Sequence, residues 1–250
     1  MEEKVKVSAV GYLNAKPLIY GLEHLPIGSE IHLSLDAPAE CAEKLISGKA
    51  DIGLVPIAVI PLLGYAQILG EYCIGAVGAV SSVMLYSNVP LEEIQIIHLD
   101  YQSRSSVKLV QVLAKNFWKI SPEWHQAKPG YEENLGDKEA ALIIGDRTFG
   151  RGQHFKYLFD LAQEWTHFTG LPFVFACWIA NKPLDPDFIN RFEAAVAYGV
   201  THKELAIQEW TDKNQFPVDV REYLGKYISY PLDEEKKKGM AHFLELLAQL

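Results

Sequence analysis

Little in this sequence announces its chemistry. Basic residues are scarce: 23 Lys and Arg stand against 32 Asp and Glu, for a net charge of −9. Without basic runs, that balance argues against nucleic acid and anionic membrane surfaces as partners. The short cluster Lys236-Lys237-Lys238 follows Asp233-Glu234-Glu235 and reads as the exposed face of a helix. Cysteine is nearly absent. Cys41, Cys73 and Cys177 are odd in number, widely spaced and without a CxxC pair, which excludes a disulfide scaffold or zinc site and predicts buried reduced thiols. No apolar run is long enough to span a bilayer, and no basic segment leading into an apolar one opens the chain. A cytoplasmic protein is expected. The eight histidines show no HExxH or other ligand spacing, and His154 and His167 read as structural or exposed. A P-loop, a GxGxxG after a strand and a GxSxG elbow are all missing. The acidic pairs Glu92-Glu93 and Glu132-Glu133 lie in polar, turn-like contexts and read as solvated surface. The residues therefore predict no metal, no cofactor and no strong acid, base or nucleophile.

What is present is ample apolar material, 49% of 250 residues, in an α/β rhythm. Residues 4–10 are rich in β-branched side chains and read as a strand, broken at Gly11 and followed by a helix over 15–22. Strand 30–36, helix 38–48 and strand 51–55 complete a parallel βαβαβ unit with right-handed crossovers. An apolar short helix or turn over 56–63 and a strand at 67–69 lead to a long extended run, 71–87, in which the glycines at 70, 75 and 78 suggest bending or a second strand. A second α/β pattern follows: strand 94–99, helix 104–118 and strand 140–144, with an irregular polar stretch over 121–137 and a weaker helical segment over 155–165. Residues 173–179 form another apolar extended run, the natural partner of 71–87. From 186 onward the chain reads as helix in four pieces, 186–202, 203–212, 218–226 and 234–250, with no further strand. This predicts two α/β lobes, residues 1–86 with 180–250 and residues 87–179, joined by two extended crossovers that serve as hinges.

Ligands in such sheets collect at strand ends. The cleft is expected to gather Gly11 to Asn14 (with Tyr12), Pro56-Ile57, Ser81-Ser82, Ser103 to Ser106 and Gly145-Asp146. Asn14 reads either as a helix cap or as a ligand group. Ser103, Ser105 and Ser106 place three hydroxyls at a helix N-terminus, more than a cap needs, and so point to a bound carboxylate or phosphate. Ser81 and Ser82 are strand-edge fillers or ligand donors. Asp146 caps the segment after it or holds a substrate hydroxyl. Trp178, with Phe173 and Phe175, belongs to the core or walls a ligand ring. Taken alone, these residues describe a small-anion binding protein.

Five blocks carry a resemblance. They are Val10-Gly11-Tyr12-Leu13-Asn14-Ala15-Lys16-Pro17-Leu18, Ala50-Asp51-Ile52-Gly53-Leu54-Val55-Pro56, Ser103-Arg104-Ser105-Ser106-Val107, Ile144-Gly145-Asp146, and Leu171-Pro172-Phe173-Val174-Phe175-Ala176-Cys177-Trp178. In this order they resemble the chorismate dehydratases of the futalosine route to menaquinone. The resemblance implies a type II periplasmic-binding-protein fold and a lyase that acts on the dicarboxylate chorismate. It implies that Asn14 orients the substrate or stabilises charge at the reacting centre. It further implies that Ser105-Ser106 hold one carboxylate, that Ser81 or Ser82 donates to the same or the other one, and that the substrate's enolpyruvyl carboxylate is the base. The sister 1,4-dihydroxy-6-naphthoate synthases share the fold, but their opening motif is not seen. A non-catalytic binding protein or sensor of the same fold is the rival reading.

Overall fold

In the computed structural model, which describes residues 4–213, 215 and 217–250, the chain builds two α/β lobes, each on its own sheet. β1 (Val5–Val10) is parallel to both β2 (Ile31–Asp36) and β3 (Ile52–Pro56). The crossovers are α1 (Lys16–His24) and α2 (Pro38–Ile46), each with proline in its first turn, where no N–H is missed. After β4 (Gln67–Ala76) the chain enters the second sheet with β5 (Val83–Ser87), β6 (Ile96–Leu99), α3 (Ser105–Leu113), β7 (Glu123–Gln126), β8 (Glu139–Ile144), β9 (Tyr157–Asp160) and α4 (Leu161–Thr169). It returns through β10 (Phe173–Ala180) and ends with α5 (Pro186–Thr201), α6 (Lys203–Lys213), α7 (Val220–Glu222), β11 (Ser229–Pro231) and α8 (Glu234–Leu247). The sheet orders are β11-β4-β10-β3-β1-β2 and β7-β6-β8-β5-β9.

Several sequence expectations shift. The run over 71–87 takes the second of its two readings, a second strand: β4 and β5 lie in different sheets, and Gly78 and Ser81 turn the backbone to positive φ between them. Sheet membership therefore changes over 77–82 and 161–172, and the expected limits at 86/87 and 179/180 fall within β5 and β10. Residues 157–160 are a strand, ended where Asp160 caps α4 through Ala162 and Gln163 N–H. The polar stretch 121–137 contains the edge strand β7, and β11 adds a strand where only helix was expected. Lys236 is fully buried, with its Nζ 3.1 Å from Asp233 Oδ2, so it is not part of an exposed face.

The core of the first lobe is densest along β10, where every residue is buried. Phe173 packs edge-on to Trp165 of α4 and Phe243 of α8 at ring separations of 5.4 and 5.1 Å. Each such side chain contributes about 1.5–3 kcal/mol by leaving water. The three cysteines are buried free thiols. No described helix is long and apolar enough to cross a membrane. The crossover at 77–82 is pinned to the second lobe by Asp160, whose Oδ2 accepts from Val80 and Ser81 N–H at 2.9 and 2.6 Å. This arrangement sets the C-terminal ends of β1 and β3 opposite those of β6 and β8.

Candidate active site

Between those strand ends lies a cleft enclosing about 480 Å³, its mouth included. The first lobe contributes Val10, Tyr12, Asn14, Pro38, Pro56 and Ile74, and the second Val83, Ser103, Ser105, Ser106, Ile144 and Gly145. Val80 and Ser82 of one crossover and Phe175 and Ala176 of β10 close the back. The lining is mostly apolar. Among the described residues that line it there is no Asp, Glu, His, Lys or Arg, and none of the described His, Cys, Asp or Glu residues cluster to hold a metal.

The serines at the start of α3 divide their work. Ser103 Oγ, one residue ahead of the N-cap position Arg104, accepts from Ser106 N–H at 3.2 Å and so satisfies a first-turn donor. Ser105 Oγ donates to Phe175 O at 3.0 Å and accepts from Ala58 N–H at 3.2 Å, so it ties its helix to the opposite lobe. Ser106 lines the cleft, and its hydroxyl makes no hydrogen bond among the described residues. Of the three, it is the hydroxyl left to meet a ligand, beside the free N–H groups of the first turn.

Asn14 is not a cap. It lies in a short 3-10 turn, Leu13–Ala15, and neither that turn nor α1 is capped by a side chain. Its carbonyl accepts from the Tyr230 hydroxyl at 2.9 Å, and its Oδ1 is buried without a partner. Ser82 Oγ accepts from the Tyr223 hydroxyl at 2.7 Å.

Several bonds join the lobes around the cleft. The Tyr12 hydroxyl donates to Gln102 Oε1, Ala39 N–H donates to Gln102 O at 3.0 Å, and Arg104 pairs with Glu43 at 3.0 Å. Both carboxylate oxygens of Asp146 accept from Leu13 N–H at 3.2 Å. Burial lifts the Asp146 carboxyl to about 6 and, in the same way, raises the Tyr12 phenol far above its usual range. Behind Tyr12, Asp100 pairs with Arg147 and accepts from Ile144 N–H at 3.0 Å, which holds the end of β8. Gly145 has φ +65°, and a Cβ there would stand 2.5 Å from the Tyr12 ring, so only glycine lets β8 end against Tyr12.

Comparison with known proteins matches residues 5–249 to the menaquinone-biosynthesis family. The chain belongs to that family. A chorismate dehydratase of Thermus thermophilus is 26% identical over 237 residues, covering 84% of each chain. A 1,4-dihydroxy-6-naphtoate synthase of the same organism is 24% identical over 217 residues, covering 76% of this chain and 79% of that one. Among solved structures, a protein of Archaeoglobus fulgidus superposes with a TM-score of 0.75 at 14% identity, covering 98% and 97% of the two chains. The periplasmic aliphatic sulphonate binding protein of Escherichia coli superposes at 0.62 with 17% identity, covering all of this chain and 88% of that one. The fold is thus the two-lobed periplasmic-binding-protein type, here in a menaquinone-biosynthesis protein.

Against this family background, Tyr12, Asn14, Pro56, Ser82, Ser105, Ser106 and Gly145 all reach the cleft, while three expected residues do not line it. Ser81 is exposed at φ +63° and offers its N–H to Asp160. Asp146 stands behind Leu13 as a tie between lobes. Trp178 is fully buried edge-on to Phe192 of α5 at 5.1 Å, whereas Phe175 lines the cleft. Gln102, Tyr223 and Tyr230 were not expected. Tyr223 and Tyr230 come from a segment more than 140 residues away from their partners, and their spacing looks like ordinary helix and strand core.

Proposed function

We propose that this member of the menaquinone-biosynthesis family dehydrates chorismate to 3-[(1-carboxyvinyl)oxy]benzoate. The observation that carries the reading is a cleft whose lining offers neutral donors and no acid, base or cation. Most eliminations need a protein base. Chorismate does not: the ring proton on the carbon bearing the enolpyruvyl ether is acidified through the diene by the ring carboxylate, and the enolpyruvyl carboxylate can take it. The neighbouring hydroxyl then leaves as water, with that proton balancing the charge, and the ring becomes aromatic. The protein's part is orientation and electrostatics. Ser106 and the first turn of α3 receive one carboxylate, and Asn14 faces the reacting ring carbons. The Thermus thermophilus dehydratase, at 26% identity, supports the same reading.

The naphthoate synthase of the same organism, at 24% identity, supports a second reading in which a cyclised futalosine derivative is cleaved. The test is to incubate purified protein, without added cofactor, with each substrate and a no-enzyme control, following products by chromatography and mass spectrometry. Loss of one water from chorismate with the enolpyruvyl group retained is the expected result. Cleavage of the cyclic compound with chorismate untouched would replace the proposal with the second reading. Tight chorismate binding without turnover would make the protein a sensor.

A further inference from the structure

Gln102 stands in the turn between β6 and α3, directly before the serines that open the helix. Its backbone is held from both sides: its N–H donates to Asp100 Oδ1 at 2.8 Å, and its carbonyl accepts from Ala39 N–H of the first lobe at 3.0 Å. Asp100 is 1% exposed and also accepts from Ile144 N–H, so the turn is tied to the end of β8. The side chain reaches the first lobe a second time. Oε1 accepts from the Tyr12 hydroxyl, while Nε2 donates to the Tyr101 hydroxyl at 3.4 Å. Tyr12 lines the cleft, and its ring lies against Gly145, where a Cβ would stand 2.5 Å from it. The chain leaves the first sheet from β4 and re-enters it through β10, whereas Tyr12 and Ala39 follow β1 and β2, on the far side of β3. Gln102 therefore fastens the side of the cleft away from both crossovers, where no chain connection holds the wall in place.

We propose that Gln102 is a positioning residue: it takes the Tyr12 hydroxyl proton and fixes that ring as the wall of the cleft on the side away from the crossovers. A phenol has one proton. With it given to Gln102, Tyr12 meets a ligand with its ring rather than with a donor, and so aligns it rather than protonates it. This rests on the chorismate reading and carries it further. In that reaction the departing hydroxyl and the carboxylate that takes the ring proton belong to one molecule, so the rate depends on how firmly that molecule is held in one pose. A wall free to swing would admit other poses and water.

The test compares the wild type with Gln102→Leu, Gln102→Glu, Tyr12→Phe and the double variant Tyr12→Phe with Gln102→Leu, measuring kcat and KM for chorismate alongside unfolding midpoints. Gln102→Leu is of similar size but has no acceptor, and it leaves both backbone bonds in place. It should lower kcat about tenfold, with KM within about threefold and the midpoint within about 4 °C of the wild type. Gln102→Glu keeps an acceptor at the same reach and should recover most of that loss. Tyr12→Phe removes the same bond from its other end, so it should match Gln102→Leu, and the double variant should be no slower than either. Wild-type kcat in Gln102→Leu, or no recovery in Gln102→Glu, would overturn the proposal. So would losses that multiply in the double variant, which would mean that the Tyr12 hydroxyl meets the substrate itself. If Gln102→Leu does not fold, Tyr12→Phe must show the same kcat loss alone. A wild type inert toward chorismate would defeat the functional reading instead. The positioning is then judged by fluorine NMR of the protein carrying a fluorinated tyrosine in place of Tyr12: a narrow line that broadens or splits in Gln102→Leu supports it, and an unchanged line ends it.

Discussion

Replacing Ser105 with alanine separates two roles that a serine at a helix N-terminus can have. Its hydroxyl joins three segments: it accepts from Ala58 N–H at 3.2 Å and donates to Phe175 O at 3.0 Å. Ser105 is 3% exposed, and Ala58 and Phe175 are 9% and 8% exposed, so water replaces little of what is lost. Leaving two buried backbone groups unpaired costs about 1–3 kcal/mol each, or roughly 2–4 kcal/mol together once partial relaxation is allowed. For a chain of this length that lowers the thermal midpoint by about 5–15 °C. KM for chorismate should stay within about threefold, because Ser106 keeps its free hydroxyl. Ser106→Ala should do the reverse, leaving the midpoint nearly unchanged and raising KM about tenfold or more, as expected for losing a hydrogen bond to a charged group. Calorimetry and steady-state kinetics on the two variants decide the matter. An unchanged midpoint with a KM raised more than tenfold in Ser105→Ala would refute the division of labour.

Three further outcomes are expected. Asn14→Ala should lower kcat about a hundredfold while KM moves only a few-fold; unchanged kcat with a raised KM would reject its role at the reacting centre. Burial lifts the Asp146 carboxyl from 3.8 to about 6, so the folded state holds that proton more tightly than the unfolded one. The stability this group contributes is complete below about pH 4 and lost as the pH rises through about 6, roughly 3 kcal/mol in all. Asp146→Asn keeps an acceptor for Leu13 N–H without the charge, so its unfolding free energy should gain on the wild type from pH 4 to 7. A difference that stays flat with pH would contradict burial as the cause. Gly199→Ala would set a Cβ 2.2 Å from Pro17 O, where α5 crosses α1, and should destabilise by about 1–3 kcal/mol or more in chemical denaturation. An unchanged denaturation midpoint there would mean the crossing is loose.

Much of the fold was legible because β1, β2, β3 and the helices between them follow the periods of strand and helix closely, with proline and glycine at their ends. The glycines at 70, 75 and 78 pointed to a bend or a second strand, but not that β4 and β5 would belong to different sheets, since that depends on the positive φ at Gly78 and Ser81. β7 was missed because its alternation is weak at a sheet edge, and β9 because four residues are too few for a period to show. In the site, the residues at strand ends could be named because open α/β sheets place them there. Gln102 could not, since its importance lies in reaching Tyr12, ninety positions away. The serines show the limit in another way: their type announced a polar helix start, but only the Ala58 and Phe175 contacts tell which hydroxyl is already taken.

The ties around the cleft run between protein groups alone: Tyr12 to Gln102, Leu13 to Asp146, Ala39 to Gln102, Ala58 to Ser105, and Arg104 to Glu43. These contacts hold the two sides of the cleft in register, so parting the lobes means breaking several of them together. Where entry to such a cleft requires the lobes to part, a ligand's apparent affinity falls by the fraction of molecules that are open. Exchange through such a cleft is then paced by the opening step rather than by diffusion. A molecule built this way trades speed of exchange for a site already assembled when the substrate settles into it.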